Sequence, residues 1–215
     1  MISAFSGRAN TRWMMVLLLF IMGACTSLQQ PSLRVDHYTL EYAPPPPVGR
    51  QALSVILRVE RFSVAASYNT QQMVYREGSF KRETYAYHRW RANPGDLVSD
   101  NLARDMRQSG LFQAVVQEGS TVAATHIVEG SVDEFFEWSS GEGWKAALTV
   151  TATLIKAKEI DTSKKILFQQ RFHVLQPCRE KSPTGFAEAM SEAMSRVSGQ
   201  IMKTMHEHLS SAIGH

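Results

Sequence analysis

The chain holds only two cysteines in 215 residues, Cys25 and Cys178, too few for the disulfide framework of a small secreted domain. It has no acidic residue before Asp36. It lacks a Gly-rich phosphate loop and a Gly-x-Ser-x-Gly elbow, the signatures of nucleotide binding and of many serine hydrolases. Its basic residues form no tract, and the formal charge is only +3, which speaks against nucleic acid as a partner. The seven histidines are scattered, and none meets a second ligand at metal spacing. His206 and His208 lie two apart on an expected helix and so point to different sides. No apolar run reaches the ~20 residues that cross a bilayer.

What is present starts at the amino end. Arg8 and Arg12 form a positive flank, Trp13 to Met22 an apolar core, and Gly23-Ala24 a small-residue exit before Cys25. That order is the mark of an export signal. Residues 1–24 are therefore expected to be removed, and the loss of Arg8 and Arg12 takes the formal charge from +3 to +1. Residues 25–36, polar and carrying Pro31, read as a tether whose extended reach is at most about 36 Å. Residues 37–215 are long enough for one domain with a substantial core. Cys178 would then be a thiol with no intramolecular partner, and the plain reading is a strand-end cysteine.

Within that domain, His37 to Tyr42 reads as a first strand, interrupted by the stiff run Pro44 to Pro47. Leu53, Val55, Leu57 and Val59 alternate through a second strand. Met73–Arg76 and Phe80–Arg89 read as a hairpin. Asn93-Pro94 opens a helix carrying Val98, Leu102 and Met106 on one face, and Gly110 closes it. Phe112 to Gln117 is a short strand. Two long strands follow, at about 125–137 and 144–158, with Leu148, Val150, Ala152 and Leu154 opposed to Thr149, Thr151 and Thr153. Ile166, Phe168, Phe172 and Val174 mark another strand after a turn at Asp161–Lys164. Ser182-Pro183 caps a last helix, whose stripe of Phe186, Met190, Met194, Val197, Ile201, Met205 and Leu209 reads as core. The expected fold is α+β: a mainly antiparallel sheet packed against two helices, as a single domain.

Few residues suggest chemistry. Asp133, Glu134 and Glu137 could be paired for acid–base work, but strand alternation would put Asp133 and Glu134 on opposite faces. A solvated strand end is the expected reading. Trp138 and Trp144 are placed symmetrically about Gly141 and are expected to pair across the hairpin. The alternative has both presented to a membrane interface or a protein partner. No catalytic residue, metal site or soluble cofactor is expected.

Met22-Gly23-Ala24-Cys25 resembles the lipobox of bacterial lipoproteins, with Met22 where Leu is usual. The resemblance implies a covalent lipid on Cys25, palmitate among its acyl chains, and cleavage before that residue. Thr26, in place of an aspartate, implies the periplasmic face of the outer membrane. Further motifs follow in order. They are Tyr38-Thr39-Leu40, Met73-Val74-Tyr75-Arg76-Glu77-Gly78, Tyr85-Ala86-Tyr87-His88-Arg89-Trp90, Pro94 and Ser109-Gly110-Leu111-Phe112. This series resembles the ABC-type transport auxiliary lipoproteins, the family of paraquat-inducible protein C. The four-proline run and the long aromatic hairpin at 135–144 depart from its pattern. The resemblance implies a non-enzymatic accessory or docking subunit of an ABC transporter with an MCE-domain protein, moving phospholipid between inner and outer membranes. It is compatible with a homo-oligomer. Tyr75, Arg76, Arg89, Trp90, Trp138 and Trp144 are the candidate partner-binding residues, with strand pairing and the strand-to-helix corner as the architectural reading of the motif positions. The alternative function is a structural lipoprotein assisting assembly or activation of another cell-envelope complex.

Overall fold

Alternation in the sequence becomes burial in the fold. Strand β2 (Leu53–Val59) turns Leu53, Val55, Leu57 and Val59 into the core and leaves Ser54 exposed. The computed structural model describes residues 34–46, 52–141 and 143–213. The segment expected to be an export signal, Cys25, Pro47 and Glu142 lie outside the described residues.

Among the described residues, nine strands form a curled, mixed sheet. Its spine is β7 (His126–Ser140), paired along its whole length with antiparallel β8 (Gly143–Lys156), which pairs in turn with β9 (Ile166–Pro177). The other edge of β7 receives three shorter strands in sequence, all parallel to it. β2 lies beside His126–Val128, β3 (Ser63–Val64) beside Ser131–Val132, and β4 (Gln72–Glu77) beside Glu137–Ser139. β6 (Phe112–Gln117) extends β2 in parallel. β5 (Glu83–Trp90) folds back on β4 as the expected hairpin, and β1 (Asp36–Tyr38) runs parallel to β5. The α+β class holds, with its long strands antiparallel. The parallel joins are the difference: each brings together strands distant in sequence, which periodicity cannot report.

Helix α1 (Pro94–Ser109) is built from local chemistry. The Asn93 side chain accepts the Gly95 amide at 3.0 Å, Pro94 takes the first helical position, and Gly110 closes the helix at φ 66°, in the left-handed region glycine adopts without strain. Short helix α2 (Thr162–Lys165), capped by Asp161, replaces the expected simple turn. Helix α3 (Pro183–Ile213) is capped by Ser182, whose Oγ accepts the Gly185 amide at 3.0 Å. At 1.5 Å per residue it is about 46 Å long. It lies across β8 and β9 and touches α1, with all seven residues of its apolar stripe buried. Among the described residues, no helix is long and apolar enough to cross a membrane.

Three local readings are corrected. β1 stops at Tyr38 because the chain turns inward. Leu40 is buried, and the Tyr42 hydroxyl donates to Asp105 at 2.8 Å while the Arg104 guanidinium covers the Tyr42 ring at 4.4 Å. Ile166 is exposed, unlike Phe168, Phe172 and Val174, because the β8–β9 register shifts between Leu154 and Ile155. A bulge in β7 between Val132 and Glu134 breaks the alternation, since an extra residue resets which side follows. Asp133 and Glu134 therefore share one face. Asp133 accepts from Ser131 and Thr151, each at 2.6 Å, and Glu134 accepts from Thr149 and from Arg171. They brace the threonine side of β8 and form no acid–base pair.

Candidate functional site

The β4–β5 and β7–β8 hairpins end side by side, because β4 runs parallel to β7 and aligns Tyr75 with Glu137, Arg76 with Trp138 and Glu77 with Ser139. This register gathers most of the aromatic motif residues at one end of the sheet and sorts them onto two sides.

On the outer side, the Arg76 guanidinium sits 4.9 Å from the centre of the Trp138 ring and donates through Nε to the Gly78 carbonyl at 2.7 Å. Arg82 lies 5.1 Å over Phe136, and Tyr68 stacks on the same ring at 5.5 Å. Cations over aromatic faces at these distances are each worth about 0.5–1 kcal/mol when exposed. Between the two tips, Arg76–Ser79 and Trp138–Gly141 line a shallow groove of about 480 Å³. Beside it Phe80 is 100% exposed, an apolar ring covered by nothing in the described chain.

The inner side is organised around a carboxyl group. Glu137 is 0% exposed. It accepts from Tyr85 at 2.9 Å and from Ser139 at 2.5 Å, so the solvated reading of this acid is overturned. Burial pushes its carboxyl above the ordinary value, against the pull of those two hydrogen bonds. Burial and the neighbouring Glu137 charge likewise raise the Tyr85 hydroxyl. Tyr75 tilts against Tyr85 at 4.9 Å. Cys178 follows β9, its amide donating to the Trp144 carbonyl at 2.8 Å. Burial, then Glu137, push its thiol up to about 12, so it stays protonated and a poor nucleophile at neutral pH.

The six candidate contact residues thus part company. Tyr75, Arg76, Trp138 and Trp144 belong to the paired tips. Trp138 and Trp144 do not face each other: Trp138 opposes Lys145 and Trp144 opposes Ser139. The turn is centred between residues 141 and 142 rather than on Gly141, and a one-residue offset sends the two indoles to opposite faces. Trp90 is 1% exposed, held edge-on by Phe135 at 5.2 Å and Phe186 at 5.5 Å, so it serves the core. Arg89 stands opposite Gln72, away from the tips, with its Nε buried and without a hydrogen-bond partner among the described residues. Sequence reasoning missed Phe80 and Arg82 as tip residues; the signal was a hydrophobic residue between Ser79 and Lys81 in a turn.

A carboxyl whose folded pKa lies above its unfolded value holds its proton more tightly in the native state. Glu137 therefore supports the fold at low pH and costs stability as pH rises from 4.5 through its folded pKa. Replacing it by Gln keeps the shape and removes the titration. Thermal melts at about pH 5 and pH 8 should show a smaller difference in Tm for Glu137→Gln than for the wild type. An unchanged difference would place the pH dependence elsewhere.

A curled mixed sheet under one long helix is an α+β fold with solved members. The chain is similar to a protein from Xanthomonas campestris, at TM-score 0.75 and 16% identity over 84% of this chain and 100% of that one. It is similar also to a hypothetical protein from Chlamydia trachomatis, at TM-score 0.54 and 9% identity over 74% of this chain and 99% of that one. At these identities the likeness is one of fold. No curated protein matches the sequence. The model of the family described as the ABC-type transport auxiliary lipoprotein component matches residues 38–202, and the chain belongs to that family.

Proposed function

We propose that this protein is a lipid-anchored, non-catalytic accessory subunit of an ABC transporter. In this reading it stands on the periplasmic face of the outer membrane and docks an MCE-domain component that carries phospholipid between the two membranes. The observation that carries the reading is the conjunction of two independent segments. The family match spans residues 38–202, while Met22-Gly23-Ala24-Cys25 lies upstream of it and follows an apolar export core. Fatty acyl chains on Cys25 would contribute about 0.8 kcal/mol per buried methylene, and two or more chains hold durably where one does not. The non-catalytic part is supported by what the polar groups already do. Asp133 and Glu134 are engaged by hydroxyls of the sheet, and the Cys178 thiol is held protonated.

Affinity purification of the full-length protein from detergent-solubilised envelope tests the partner. Recovery of an MCE-domain protein with its permease and ATPase is expected. Recovery of cell-wall synthase subunits without any MCE protein would favour a structural lipoprotein serving another envelope complex.

A further inference from the structure

The direction of β1 bears on which end of the domain faces the membrane. β1 runs parallel to β5, pairing Asp36 with His88 and Tyr38 with Trp90. β5 itself runs inward from the hairpin tip at Glu83. The amino end of β1, at Asp36, therefore points towards the paired tips. Glu83 lies five residues before His88, or about 17 Å along the strand. Cys25 lies eleven residues before Asp36, an extended reach of about 36 Å. That reach exceeds the distance from Asp36 to the level of the tips by about 20 Å.

The opposite end is much harder to bring to the same membrane. Trp90 packs on Phe135, and from Phe135 back to the start of β7 at His126 is nine residues, about 30 Å. The α2 turn stands beyond that. That distance takes nearly the whole extended reach of eleven residues.

The tip has the side chains such a position calls for. Phe80 is fully exposed, and Lys81 beside it is exposed too, its amine paired with Glu83 at 2.9 Å. Arg76 and Arg82 lie over the aromatic rings of β7, and Lys145 stands opposite Trp138. Glu77 and Glu83 temper the positive charge. An exposed apolar ring among indoles and long cationic side chains suits the boundary between headgroups and acyl chains, where the ring sinks and the cations stay at the phosphates.

We propose that the paired hairpin tips are a lipid-contacting surface: Phe80 enters the bilayer interface, Arg76, Lys81 and Arg82 meet anionic headgroups, and the sheet stands end-on to the membrane. The proposal rests on the anchor reading of Cys25. It leaves the far end, where Ile160 is 95% exposed, directed away from the bilayer and free for a protein partner.

The test uses the full-length protein, processed and purified with its anchor, in vesicles of phosphatidylethanolamine with a minority of phosphatidylglycerol. Two variants carry an added reporter at exposed sites, Phe80→Trp and Ile160→Trp, and some of the lipid is brominated high in the acyl chains. Flotation with the vesicles reads the anchor separately from the contact. The Phe80→Trp increment in emission should fall about twofold in brominated vesicles, and the Ile160→Trp increment should stay unchanged. Protein that floats with the Phe80→Trp signal unquenched would overturn the tip contact alone, as would quenching of Ile160→Trp instead. Protein that fails to float would overturn the anchor at Cys25 and, with it, this inference.

Discussion

Trp90→Ala lowers the melting temperature of the domain by about 10 °C or more, from a loss of about 3–5 kcal/mol. The indole is 1% exposed and makes edge contacts with Phe135 on β7 and Phe186 on α3. It is contributed by β5, near the edge of the sheet, so one side chain joins the edge, the spine and the long helix. Removing it leaves a large void among residues that are themselves rigidly placed, and such a site cannot collapse to fill itself. Trp138→Ala is the comparison. That ring is partly exposed and shared with the Arg76 guanidinium, so its loss should cost about 1–2 kcal/mol, in the range of a surface aromatic contact. Equal losses in thermal or urea melts would contradict the assignment of Trp90 to the core and Trp138 to the tip.

The second large effect concerns location rather than stability. Cys25→Ser removes the nucleophilic sulfur to which lipid would be joined. The variant should carry no acyl groups and should be lost from the outer-membrane fraction, since among the described residues no helix is long and apolar enough to cross a membrane and the anchor in this account is the acyl chains. It should also accumulate with residues 1–24 uncut. Its melting temperature, measured on detergent-free material, should match that of the processed wild type, since the described fold begins beyond the tether. A variant that is still processed and reaches the outer-membrane fraction as fully as the wild type would remove the anchor from the account.

Much of this fold was legible before any coordinates, for reasons that differ by element. Helix α1 was readable because Asn93, Pro94 and Gly110 state its ends in local hydrogen bonds and dihedral angles. Helix α3 was readable because its stripe repeats over seven residues without interruption. β8 was readable because one face is aliphatic and the other is threonine. The failures came where one residue changes the count. The bulge at Asp133 reverses the side of everything after it, which moves Asp133 and Glu134 together and turns Glu137 inward. The turn centre between residues 141 and 142 separates Trp138 from Trp144. Neither offset leaves a mark in the hydrophobic pattern. The parallel joins of β2, β3 and β4 to β7 depend on long connections, and the sequence carries no register for them.

The tip shows the same division. Tyr75, Arg76, Trp138 and Trp144 stood out as residue types, but only the parallel register of β4 on β7 brings two hairpins to one place. The Arg89-Trp90 pair was visible as a motif. That Trp90 is buried while Arg89 lies away from the tips follows from strand alternation combined with the position of α3, and the second of these is a tertiary fact.

The central claim is that this family domain is held to a membrane through acyl chains on Cys25. Intact-mass and peptide mass spectrometry of the processed protein, extracted from its native envelope, test it most directly. The account predicts an amino-terminal peptide beginning at Cys25 whose mass exceeds that of the bare sequence by a diacylglycerol and an amide-linked acyl group. A mature chain that begins at another residue, or at Cys25 with an unmodified thiol, would contradict it.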